Sequence, residues 1–415
     1  MEFTPEERKA LLALSPLPPP PKSATNRVAE NPLAARLGQF LFFDTRLSSA
    51  GDLSCATCHD PAKGWSDGRE VAKGKSETTR HTQSVLNAAY QRWLFWDGRA
   101  DSLWAQAGKP IEDPREMAGS RLRTARVVAQ DRALRKAYEK LFGALPAFLA
   151  QTEGDGRPRP GDGRPRPGDG RPVPLEPGHP HAVAWAGLAE RDREAVDRVY
   201  ANVGKALDAF QRLVTSRPAP FDTFVAGLRA NDAAQIAALG ASAQRGARIF
   251  AGRGGCTLCH SGPLLSDREF HNIGLGPRSG LPLDAGRLPG IELVRGDPFN
   301  GRGRFSDDRG ARENEKLDFV AAKPESIGEF RTPSLRDVAR SAPYMHDGRF
   351  ARLKDVVIFY STLPDLAAVG HREETLKRLR LSGAEVDDLV AFLESLTGED
   401  LPAYLKSQPS SLASP

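Results

Sequence analysis

At 415 residues, with 40% hydrophobic and 27% charged side chains, the chain has the composition of a folded globular protein of two or three domains. It has no run of about 18 apolar residues, which excludes a membrane-spanning helix. The formal charge of +5 and the pI near 9.0 are moderate and do not by themselves indicate a nucleic-acid partner.

In chain order, Thr4-Pro5-Glu6-Glu7 reads as an N-cap, a first-turn proline and a capping box for a helix ending near Leu14. The run Pro18 to Pro21 reads as an extended linker. An apolar stretch from Leu37 to Phe43 precedes Cys55-Ala56-Thr57-Cys58-His59. Three tandem heptads, each beginning Gly-Asp-Gly-Arg-Pro, run from Gly154 to Pro174. Gly and Pro at that density cannot bury a core, so residues 152–180 are expected to be a disordered, exposed loop. Helical periodicity follows at Val196 to Val214 and Ser242 to Phe250, the latter leading into Cys256-Thr257-Leu258-Cys259-His260. A capping box at Ser382 and Glu385 opens a C-terminal helix with Val386, Leu389, Val390, Leu393 and Leu396 on one face. Strand signals are scarce. These features predict a mainly α protein of two cytochrome c-like haem domains packed around an interhaem interface. The expected divisions are an N-terminal extension and linker (1–36), a first haem domain (37–235), a second (236–400) and a tail (401–415).

The two Cys-x-x-Cys-His motifs use all four cysteines. Two thiols at this spacing can form thioethers to the two vinyl groups of one porphyrin, and the following His is the proximal iron ligand. The motifs therefore point to two covalent c-type haems, with Cys55, Cys58 and His59 holding one and Cys256, Cys259 and His260 the other. The alternatives are a pair of redox dithiols, or a zinc site, which would need the two motifs to converge. Four haem propionates would bring the charge close to neutral, which removes the argument for nucleic acid. Covalent haem attachment in bacteria belongs to the periplasmic side. The periplasm is the expected location, with a leader removed ahead of Met1.

Several long motifs, in order, resemble the bacterial dihaem cytochrome c peroxidase family and, within it, the MauG-type branch. They are Leu41-Phe42-Phe43-Asp44-x-Arg46-Leu47-Ser48, Gly64-Trp65-Ser66-Asp67-Gly68, Phe95-Trp96-Asp97-Gly98-Arg99, Arg331-Thr332-Pro333-Ser334-Leu335-Arg336 and Ala342-Pro343-Tyr344-Met345-His346-Asp347-Gly348. The resemblance implies that the haem on His59 is the peroxide-binding centre. It makes Trp96 the interhaem tryptophan, Gln106 a hydrogen-bonding group at the open face and Glu116 the group that moves the peroxide proton, each ten residues after the last. Pro110 matches a distal-pocket proline of the MauG branch. Taken alone, Glu116 would read as a solvated carboxylate at a helix end; its register with Trp96 and Gln106 carries the functional reading.

Two departures from ordinary members matter. Their histidine sixteen residues beyond the proximal His, which caps the resting iron, is Lys75 here, so the first haem is expected to be open without prior reduction. Their axial methionine, fourteen residues after the His of His-Asp-Gly, is Tyr360 here. A phenolate is a hard anionic donor that favours ferric and higher iron. The alternative makes Tyr360 a core residue and Met345 the ligand; Met117 is a weaker candidate.

The resemblance also implies a calcium ion on the backbone carbonyls of Ser341 and Pro343 and an asparagine side chain. That asparagine falls at or beside His81, and imidazole is a poor ligand for a cation that prefers oxygen. His271 and His371 read as structural or surface residues. The implied activity is use of hydrogen peroxide to oxidise aromatic residues, tryptophan first, of a periplasmic partner protein by long-range electron transfer. The competing readings are a peroxidase fed by a small cytochrome c or cupredoxin, and an electron carrier with both irons saturated.

Overall fold

The computed structural model describes residues 2–150, 180–364 and 369–412. The Gly-Asp-Gly-Arg-Pro heptads lie outside them. Among the helices of the described residues, these build the frame: α1 Pro5–Ala13, α2 Pro32–Phe42, α3 Leu103–Glu112, α4 Arg121–Gln130, α5 Arg132–Phe142, α6 Glu190–Gln211, α7 Pro220–Ala230, α8 Ala241–Ala251, α9 Leu353–Thr362 and α10 Gly383–Glu394. The sequence signals explain several ends. Thr4 and Ser382 form the expected capping boxes, and Asn31 caps α2 ahead of Pro32. Strand is confined, among the described residues, to β1 (Phe270–His271) and β2 (Phe330–Arg331), paired antiparallel with Phe270 opposite Arg331. The protein is mainly α, as its sequence predicts.

Two large cores carry the two motifs. In the first, α2 and α3 pack on α6, burying Phe42, Trp65, Trp104 and Phe210. Gly38 makes the α2–α6 approach possible, since a Cβ there would lie 1.8 Å from the Ala206 carbonyl oxygen. In the second, α8 packs on α10, and their Phe250 and Phe392 bury in one cluster with Phe221 and Phe224 of α7. The expected boundaries at 36, 235 and 400 do not follow these cores. Leu11 and Leu14 of the N-terminal extension, and Phe221 and Phe224 of α7, are buried in the second core. Conversely, Leu401, Leu405 and Leu412 of the tail, with Phe299 and Phe305, belong to the first. The chain crosses over at both ends because burial follows apolar surface and not sequence order.

The two halves repeat one motif. The bridges Leu94 to Ala100 and Tyr344 to Phe350 are equivalents separated by 250 residues, as are the positive-φ pairs Asn87 and Asp337, Phe95 and Met345, and Gly98 and Gly348. Asp97 pairs with Arg99 as Asp347 pairs with Arg349. By this register Trp96 corresponds to His346, and α3 to α9.

Candidate functional site

Each Cys-x-x-Cys-His motif closes on a short turn, Cys55–Cys58 in the first half and Cys256–Leu258 in the second. His59 Nδ1 lies 3.2 Å from the Trp65 carbonyl and His260 Nδ1 lies 2.9 Å from the Leu265 carbonyl. Each carbonyl accepts the Nδ1 proton, which leaves Nε2 as the free ligand atom and fixes the ring. Burial keeps both imidazoles neutral, as ligation requires. Burial also pushes the thiols of Cys55 and Cys256 up to about 12 and that of Cys58 to about 11, unlike the low-pKa thiolates of redox dithiols. No disulfide joins the cysteines. Among the described residues no cluster of metal-binding side chains unites the two motifs, which removes the zinc reading.

One continuous cavity of about 970 Å³ runs between the motifs. Cys58, His59, Trp96, Gln106, Pro110 and Glu116 line it on one side, and Cys256, Cys259, His260 and Tyr360 on the other. Cys55 packs against the first core. Gln83 Nε2, Gln91 Oε1 and Thr82 Oγ1, from the same walls, are buried without a partner. A cavity bearing two haem-attachment motifs, two oriented imidazoles and orphaned polar atoms fits two covalent haems with polar edges. His59 and His260 would hold the irons and the four cysteines the porphyrins.

The distal faces differ. Pro110 and Tyr360 are each the eighth residue of equivalent helices, α3 and α9, and both line the cavity. Proline has no atom that can ligate iron, whereas the Tyr360 oxygen can. Burial pushes the Tyr360 phenol up, so a phenolate forms there only against a positive centre. Met345 also lines the cavity, whereas Met117 is buried in the first core.

Lys75, at the position of the capping histidine, extends to Asp52 at 2.7 Å and does not line the cavity. Its loop is pinned instead by backbone bonds, Lys75 N to the Glu116 carbonyl at 2.9 Å and Ser76 N to the Arg115 carbonyl at 3.0 Å. Gly74 allows this contact, since a Cβ there would lie 2.4 Å from the Glu116 carbonyl oxygen. The Glu116 carboxyl is raised above its ordinary range by burial and by Asp113, with Arg99 and Arg115 opposing.

Trp96 lies where the halves meet. Its indole Nε1 donates to the His81 carbonyl at 2.9 Å, and its own carbonyl accepts from Arg331 N at 2.9 Å. Beside it, Arg80 bridges Asp97 at 2.6 Å and Asp284 at 2.7 Å, joining the two halves. Phe330, under Arg80, stacks on His346 with ring centroids 3.6 Å apart.

The calcium set fits poorly. Ser341 and Pro343 line the cavity, but the side chain at the third position, buried His81, offers nitrogen and has its Nδ1 2.7 Å from the Arg69 carbonyl. His371 is exposed, as expected. His271 is not simply a surface residue: it lines the cavity, with Nδ1 2.9 Å from Glu373 and Nε2 2.8 Å from Asp267, in one cluster with Cys259. His346, Arg80 and Asp284 were not singled out in the sequence. The signal for His346 was present, since Trp96-Asp97-Gly98-Arg99 and His346-Asp347-Gly348-Arg349 are copies of one motif.

Comparison with known proteins identifies the family. The family model described as Di-haem cytochrome c peroxidase matches residues 32–156. The chain is 34% identical to "Cytochrome-c peroxidase IdrP1" of Denitromonas iodatirespirans, over 92% of this chain and 86% of that one. It is 33% identical to "Methylamine utilization protein MauG" of Methylorubrum extorquens, over 91% of this chain and 83% of that one. Among solved structures, a MauG-like protein associated with microbial copper homeostasis superposes with a TM-score of 0.61 at 26% identity, over 95% and 97% of the two chains. With two covalent c-type haems on one chain and relatives that use peroxide, this protein is a dihaem oxidoreductase of the cytochrome c peroxidase and MauG family.

Proposed function

We propose that this enzyme works in the periplasm, reacting with hydrogen peroxide in its resting, fully oxidised state and oxidising an aromatic side chain, tryptophan first, of a partner protein. The observation that carries this reading is the pairing of Pro110 with Tyr360 at one register of two equivalent helices. Pro110 has no atom to offer an iron held by His59, whereas Tyr360 could offer a hard anionic oxygen to an iron held by His260. When bound, the two haems supply a peroxide-accepting iron and a second centre able to store an oxidising equivalent.

Around them the chain's own groups have distinct tasks. Glu116, buried and raised, accepts the first peroxide proton and returns it to the departing oxygen. The Gln106 carboxamide, one helical turn from Pro110, orients the peroxide by hydrogen bonding. Lys75, held by Asp52, leaves that face free. The Trp96 indole, fixed by its bond to His81, lies between the halves as the path for charge.

A second reading, reduction of peroxide to water with electrons from a small cytochrome c or cupredoxin, is favoured by relatives named cytochrome-c peroxidase and by Met345 on the same cavity wall. One experiment separates the two. Under the first reading the fully oxidised protein has one high-spin and one low-spin haem, and one equivalent of peroxide produces a long-lived near-infrared band. No reaction until half-reduction, followed by rapid turnover with reduced cytochrome c, would establish the second.

A further inference from the structure

Two loops around the second haem site meet on His271. Its ring lies between two carboxylates, with Nε2 2.8 Å from Asp267 Oδ2 and Nδ1 2.9 Å from Glu373 Oε2. An ionised carboxylate only accepts, so both ring nitrogens donate and the ring is an imidazolium. Asp267 belongs to the attachment loop, where its N–H donates to the Cys259 carbonyl at 2.7 Å. Glu373 belongs to the loop of residues 369–382, and its own N–H, bonded to the Asn272 carbonyl at 2.8 Å, sets the register of the contact. In that loop Leu376 lines the cavity and packs, with Tyr360, against the cluster of Leu275, Phe359 and Leu363. The loop then fastens to α9 one residue beyond Tyr360: Arg380 N donates to the Ser361 carbonyl at 3.0 Å and Leu381 N to Ser361 Oγ at 2.8 Å. His271 thus ties the segment that carries Cys259 and His260 to the segment that backs Tyr360.

The first half has the same attachment loop without this tie. Ser66 Oγ donates to the Thr82 carbonyl at 2.7 Å as Ser266 Oγ donates to the Thr332 carbonyl at 2.8 Å, which makes Asp67 the counterpart of Asp267. Four residues on, Val71 stands where the second half has His271. Among the described residues, Asp67 Oδ2 is buried without a partner. We propose that the His271 imidazolium is an ionic staple that closes the cavity wall over the second haem site, and so is a positioning residue for Tyr360. The proposal rests on the reading that Tyr360 holds the second iron. The difference between the two haem faces is then built twice, in the pairing of Pro110 with Tyr360 and in the loops around them. The side chains of Asp267, His271 and Glu373 are 19%, 21% and 27% exposed, so water can reach the groups left by a lost arm, and cutting one arm loosens the loop without unfolding the core.

The test uses the fully oxidised protein with both haems attached, as wild type and as the His271→Gln and Glu373→Gln variants. Electron paramagnetic resonance follows the low-spin signal of the second haem while excess cyanide competes for its iron. Cyanide should replace that signal about tenfold or more faster in either variant than in wild type. Before cyanide is added, the high-spin signal of the first haem should be the same in all three. If His271→Gln does not load both haems, Glu373→Gln carries the test, because it removes one charged arm and leaves the ring in place. Loaded variants that exchange at the wild-type rate overturn the staple, as does a first-haem signal altered as much as the second. Tyr360→Phe reports on the ligand separately. An unchanged second-haem signal there overturns the reading of Tyr360 and the positioning role with it. A changed signal, beside wild-type exchange in the staple variants, overturns the staple alone.

Discussion

Glu116 and Tyr360 are both raised by burial, which disfavours the charged form of each. Their tasks require the charged form, so each works against its own desolvation and needs a partner: peroxide for one, iron for the other. Glu116→Gln keeps the shape and removes the base, and is expected to slow the stopped-flow reaction with peroxide by about 10²-fold or more, with both haem spectra preserved. Because the Glu116 carboxyl titrates above its ordinary value, the wild-type rate should fall as pH drops through that raised value. The dependence should vanish in the Gln variant. Tyr360→Met replaces a hard anion by a thioether, so the second haem should become reducible at a higher potential and its ferric spectrum should change. An unchanged spectrum would mean that Tyr360 is a core residue and that Met345 holds the iron.

At the scale of elements, helix pairs decide what lies where. In sequence the α1 helix is a capped nine-residue segment ahead of a proline run. In the structure its Leu11 is fully buried with Phe221, Phe224 and Phe250 of the second core. Leu11→Ala is therefore expected to cost about 2–5 kcal/mol. A lower thermal midpoint with unchanged haem spectra would show that loss; a neutral result would return α1 to the status of an appendage. The helices α3 and α9 were legible only in part. The interval from Trp96 to Pro110 and that from His346 to Tyr360 are equal in the sequence. That the two helices are equivalents, facing one cavity, follows from the shared bridge and turn geometry before each.

For the whole molecule, the two halves are held together by backbone bonds around Trp96 and by Arg80 between Asp97 and Asp284. Both carboxyls lie below their ordinary values, opposed by burial and lowered by the arginines, Arg99 and Arg80 at Asp97 and Arg80 at Asp284. A carboxyl depressed in the folded state contributes stability that is complete above its unfolded pKa, about 3.9, and is lost as pH falls through the folded value. Asp284→Asn should cost about 1–3 kcal/mol at neutral pH, since the Arg80–Asp284 pair is only partly shielded from water. The difference from wild type should shrink below about pH 4, measured as thermal midpoints at pH 7 and pH 3.

The sequence by itself determined the cofactor count, the mainly helical class and the family. These rest on local chemistry: two thiols and an imidazole at fixed spacing, caps at helix starts, and motifs that survive in order. It also named Trp96, Gln106, Pro110, Glu116 and Tyr360, and all five line the one cavity. Only the tertiary structure decided which segments share a core, that Lys75 turns to Asp52, and that His81, His271 and His346 are not surface residues. The reason is distance along the chain: the carbonyls around His81 and the carboxylates around Arg80 come from opposite halves, and no local pattern records that they meet.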